Sequence, residues 1–87
     1  MEELFKILYQ IRAGIDQNVE VSARTNEMRE IVLQIDWYDG TSFHARQEYP
    51  KFDIENVPSE KIVNHFVAYA TTQYNNKMHT NWRANQS

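Results

Sequence analysis

QIDWYDGTSFHAR, residues 34–46, is the stretch whose reading decides the fold. Apolar and polar residues alternate on both sides of an Asp-Gly pair, so it reads as strand, tight turn, strand. A two-residue Asp39-Gly40 loop would pair Tyr38 with Thr41 and Asp36 with Phe43. That places Phe43 among polar side chains and His44 beside Ile35. A three-residue loop, Tyr38-Asp39-Gly40, instead pairs Trp37 with Thr41, Ile35 with Phe43 and Leu33 with Ala45. Every large apolar residue except Val32 then shares a face. A slip of one residue inverts a whole strand, so the apolar pattern selects the longer loop. Gly40 is expected in the left-handed position of a type I turn with a G1 bulge. The opposite face then sets Asp36 against Ser42, Gln34 against His44, Val32 against Arg46 and Glu30 against Glu48.

Upstream, Asn18 to Arg24 alternates, with Val19, Val21 and Ala23 against Glu20, Ser22 and Arg24. Thr25-Asn26-Glu27 reads as a polar turn, and a second strand runs from Met28 to Trp37. Thr41 to Tyr49 is the third. Short connections make an antiparallel meander the economical topology. Before it, Leu4, Ile7, Leu8 and Ile11 follow the i, i+3, i+4, i+7 spacing of a helix over Glu2 to Ala13. Phe5 and Tyr9 are expected to broaden its apolar stripe, and Gly14 to end it. After the meander, YPKFDIENV (49–57) reads as a connection in which Phe52, Ile54 and Val57 pack down. A second helix starts near Pro58, capped by Ser59 or the residue before Pro58, and runs to about Asn75. Its stripe is Ile62, Val63, Phe66, Val67, Ala70 and Tyr74. The expected fold class is α+β: two helices on one face of a three-stranded antiparallel meander, the other face open to water. Residues 1–83 form one domain and 84–87 a disordered tail.

Composition bounds the function. A chain of 87 residues buries roughly 60–65% of its unfolded surface. An apolar fraction of 41% and an aromatic fraction of 13% suit a folded domain. The absence of cysteine excludes disulfides and thiolate metal sites and fits a reducing compartment. No apolar run reaches the roughly 18 residues of a membrane span, and the acidic N-terminus is unlike a signal peptide. The expected location is the cytoplasm. All twelve acids lie at or before Glu60, against six Lys/Arg there. Residues 61–87 hold Lys61, Lys77 and Arg83 and no acid. The net charge of −3 therefore hides an acidic part and a basic part.

Catalytic patterns are missing. His44, His65 and His79 have no i, i+4 partner for a helical metal pair. There is no nucleophile motif and no glycine-rich phosphate loop. Paired acids such as Asp36/Asp39 and Asp53/Glu55 read as solvated carboxylates. The expectation is a chain that is not an enzyme and needs no cofactor or metal. Two surfaces remain. Asp36, Asp39, Glu48, Asp53 and Glu55 are candidates for an acidic docking surface aimed at a cationic groove. Tyr74, Met78 and Trp82, at i+4 spacing, are candidates for a partner-binding or homodimer face. Lys77, His79 and Arg83 supply few cations, so nucleic-acid binding ranks last.

The helix–three strands–helix order is also that of double-stranded RNA-binding domains. Their lysine cluster at the start of the last helix is absent from PSEKIVNHF, 58–66. A closer likeness is to small, acidic, cysteine-free phage proteins of the type II anti-CRISPR class. LQIDWYDGTSFHARQEYP (33–50) resembles their meander with its Asp-Gly turn, and KIVNHFVAYA (61–70) resembles the helix that follows. The resemblance spans roughly residues 4–72. It implies an inhibitor that resembles DNA in charge and blocks the motif-reading cleft of an RNA-guided nuclease, with Asp36, Asp39, Glu48, Asp53 and Glu55 matching the acidic surface. The functional expectation is a non-catalytic protein-interaction module of this kind, with a structural dimerisation domain as the rival.

Overall fold

The alternation in residues 19–50 produces three strands in a computed structural model that describes residues 2–15, 18–38 and 43–79. The elements are α1 (Glu2–Ala13), β1 (Val19–Thr25), β2 (Glu30–Trp37), β3 (His44–Pro50), α2 (Lys51–Asn56) and α3 (Ser59–Met78). The sheet has the order β1-β2-β3, antiparallel throughout. The fold is α+β, with α1 packed over β1 and α3 over β3. The tail at 84–87 lies outside the described residues.

Odd-numbered strand residues face the helices. Ile31, Leu33, Ile35, Trp37, Ala45 and Tyr49 are buried there with Ile7, Ile11, Ile15, Ile54 and Phe66. Burying side chains of this size contributes roughly 1.5–3 kcal/mol each, the main term in so small a domain. On α3 the expected stripe of Ile62, Val63, Phe66, Val67, Ala70 and Tyr74 is the buried one.

The second hairpin corrects the expected register. Ile35 stands opposite Ala45, Asp36 opposite His44, and Trp37 N–H donates to Phe43 O at 2.9 Å. The strands have slid by two residues relative to the three-residue loop, so faces are kept and partners change. Gln34 now faces Arg46, Val32 faces Glu48 and Glu30 faces Pro50. The slide sets Phe43 against Trp37, with ring centroids 5.4 Å apart, and edge-on to Tyr74 at 5.8 Å. The expectation for Gly40, and Ser42 as a partner, lie outside the described residues.

The first hairpin holds the geometry expected of the second. Asn26 N–H donates to Glu30 O at 3.0 Å, closing a loop of residues 27–29 with Arg29 left-handed at φ 61°. The Asn26 side-chain oxygen accepts from the N–H groups of Met28 and Glu30, an Asx-type brace that holds this conformation without glycine. Met28 is thus a loop residue, not a strand residue, and is 78% exposed.

Residues 51–56, read as a connection, form α2. Pro50, with φ −56°, precedes it, and Asp53 sits in its first turn, where the helix dipole favours an acid. Ile54 is buried, Val57 packs partly against the core, and Phe52 is 70% exposed. Val57 is extended because it precedes Pro58, which ends α2. Pro58 itself caps α3 and no side-chain hydrogen bond contributes. The helix runs past Asn75 to Met78, where left-handed His79 returns its N–H to Asn75 O.

Candidate functional site

Even-numbered strand residues form the open face of the sheet. Its rows read Glu20–Asp36–His44, Ser22–Gln34–Arg46 and Arg24–Val32–Glu48 from β1 to β3. A polar chain crosses it. Arg24 Nη1 donates to Gln34 Oε1 at 3.1 Å, and Gln34 Nε2 donates to both Asp36 carboxylate oxygens at 3.1 and 3.2 Å. Glu20 stands directly opposite Asp36 and accepts the Tyr38 hydroxyl at 3.4 Å. The Glu20 charge pushes the Tyr38 phenol up, with desolvation and Asp36 adding to it. Val32 is 3% exposed although it lies on this face, between Arg24 and Glu48.

The expected acidic residues separate into two groups. Asp36 lies at the end of β2 nearest Tyr38. Asp53 and Glu55 lie on α2, which begins after Pro50 at the other end, opposite Glu30. Six residues of strand, roughly 20 Å, separate the Asp36 and Glu30 rows. Glu48 lies between, and Arg46 and Arg24 divide the surface. Asp39 lies outside the described residues. The residue that spacing left out is Glu20, which the register brings beside Asp36. Its alternation with Val19 and Val21 placed it on this face, but the cross-strand partner required the fold.

Tyr74 and Met78 of the C-terminal stripe go to the core. Tyr74 is 7% exposed and stacks on Trp37 with centroids 4.9 Å apart. Met78 packs partly buried against the same cluster. Trp82 lies outside the described residues.

Exposed aromatics stand elsewhere. Phe5 is 73% and Tyr9 76% exposed, contrary to the expectation that they widen the buried stripe. Each is two positions from Ile7, hence about 200° around the helix, and faces away from it. Tyr9 lines a shallow groove of about 490 Å³ with Leu8 and Arg12 of α1, Val19 and Val21 of β1, and Tyr38. A second groove of about 360 Å³ runs along β3 beneath Tyr69 and Gln73.

His65 pairs with Tyr49, hydroxyl to Nδ1 at 2.7 Å, and burial pushes the Tyr49 phenol up to about 12, with Tyr69 adding to it. Among the described residues no three His, Asp or Glu side chains gather as metal ligands, and no helix is long and apolar enough to cross a membrane. No protein-family model, no curated protein and no solved structure matches the chain.

Proposed function

We propose that the chain is a non-catalytic protein-interaction module whose open sheet face docks, acidic end first, on a cationic nucleic-acid groove of a host enzyme. The observation that carries this reading is the Glu20–Asp36 pair, two carboxylates directly opposite each other on the sheet face turned away from the described helices. Like charges across a strand pair disfavour the isolated fold. A cationic partner would reverse the sign of that interaction and speed the encounter. The likeness of residues 33–50 to the anti-CRISPR meander supports one class of partner, an RNA-guided DNA nuclease loaded with its guide. In that reading the acids take the place of DNA phosphates. Glu48, Asp53 and Glu55 would then make a separate, secondary contact.

The test titrates the chain against a purified type II CRISPR nuclease with guide RNA and reads target-DNA binding and cleavage. Wild type is expected to suppress both, and Glu20→Gln/Asp36→Asn to need at least ten times the concentration. Unchanged cleavage at large excess of wild type removes the nuclease as partner. Equal recovery of proteins from bacterial lysate by wild type and the double variant removes acidic docking altogether.

A further inference from the structure

β1 is an edge strand, and its hydrogen-bonding direction can be read residue by residue. Tyr38 N–H donates to Asn18 O at 2.9 Å, and Asn26 N–H donates to Glu30 O at 3.0 Å. These bonds mark even-numbered residues as the ones that face β2. Val19, Val21, Ala23 and Thr25 therefore direct their backbone N–H and C=O groups to the free edge. Four residues of this seven-residue strand thus present a hydrogen-bonding ladder that no strand among the described residues pairs.

We infer that this edge pairs with the β1 of a second copy of the chain, antiparallel about a two-fold axis at Ser22. In an antiparallel pair, outward-facing residues must meet outward-facing residues. The two-fold axis must then pass through a residue of β1. Centring on Ser22 overlaps all of VEVSART and sets Val21 against the second copy's Ala23. It also sets Glu20 against the second copy's Arg24, and Arg24 against the second copy's Glu20. Centring on Val21 or Ala23 loses both charge pairs. VEVSART is thus self-complementary in one register only. The pairing gives Glu20, which faces the like charge of Asp36 within its own chain, a cation across the interface.

The helix side agrees. The two-fold axis stands perpendicular to the sheet, so both copies place α1 on the same side of a six-stranded sheet. Phe5, Leu8, Tyr9 and Arg12 form one stripe at i, i+3, i+4 and i+7, and the last three line the groove above the β1 edge. Phe5 and Tyr9, 73% and 76% exposed, then meet the equivalent stripe of the second copy, and half-buried Val21 and Ala23 are covered. The interface lies on α1 and β1 and shares Glu20 with the acidic surface proposed above, but its register is argued from β1 alone and does not depend on that reading.

Ser22 at the axis is a non-hydrogen-bonded pair, with Cα atoms about 4.5 Å apart, inside disulfide range. The chain has no cysteine, so Ser22→Cys reports this register directly. Under mild oxidation it is expected to form a covalent dimer at least ten times faster than Thr72→Cys, an exposed control on α3. Light scattering of wild type should give twice the chain mass. Glu20→Arg or Arg24→Glu should each weaken dimerisation at least tenfold, and the double exchange should restore it. A monomer at all concentrations up to several hundred micromolar overturns the proposal. So does cross-linking of Ser22→Cys at the control rate, or a double exchange as weak as the singles.

Discussion

On the helix side of β2, Ile31, Leu33, Ile35 and Trp37 are at most 2% exposed. On the other side Glu30, Gln34 and Asp36 are half-buried, and only Val32, at 3%, is comparably closed. The same strand thus carries two surfaces of different physics. On the covered face the stability comes from dispersion and water exclusion, and each residue touches several others. On the open face water competes for every polar contact, so the Arg24–Gln34–Asp36 chain sets orientation and charge more than stability. Residues that interact with a partner can be recruited from the open face without unfolding the chain.

The largest break in this contrast is Trp37→Ala. Trp37 holds the Phe43–Tyr74 aromatic cluster, so its loss should destabilise by about 3–5 kcal/mol, enough to leave much of the chain unfolded in thermal melts. Val32→Ala tests whether burial outweighs the face. If Val32 is sealed as its exposure says, urea melts should show a loss of about 1–2 kcal/mol, whereas a solvated position would lose almost nothing.

Tyr49 gives the smallest effect at neutral pH. Tyr49→Phe removes one hydrogen bond to exposed His65, about 1 kcal/mol or less. Its pH dependence has a definite sign. The folded phenol keeps its proton up to about 12, while the unfolded one releases it near 10. The neutral ring's contribution is complete below pH 10 and is lost as pH rises toward 12. Urea midpoints of wild type should fall faster than those of Tyr49→Phe over that window, and parallel slopes would contradict the burial assigned to the hydroxyl.

Much of the covered face was legible because its signals are local. Leu4, Ile7 and Ile11, the alternating strands and the 62–74 stripe follow periods that the chain carries by itself. α2 escaped because six residues with one buried side chain, Ile54, hold less than two turns of period. Pro50 and Asp53 were its available signals. Tyr74 and Met78 kept helical spacing past the expected end, but spacing cannot say whether the layer beneath is the molecule's own. Here it is Trp37 and Phe43 that lie beneath Tyr74. The candidate acidic site was half legible. Asp36 and Glu20 could each be assigned to the open face, and their meeting could not.

The amino-acid sequence by itself determined which side of each strand is apolar, since that follows from alternation with period two. It could not determine which residues stand opposite, because a slide of two residues leaves every alternation intact. Tertiary structure made that choice. Setting Phe43 against Trp37 and the edge of Tyr74 buries three rings in one cluster, a gain contributed by α3 from some thirty residues away along the chain. The same slide removed Gln34 from beside His44 and gave it Arg46. It brought His44 opposite Asp36, while Glu20 stays on the other side of Asp36 because the pairing of β1 with β2 is set separately at the Asn26 loop.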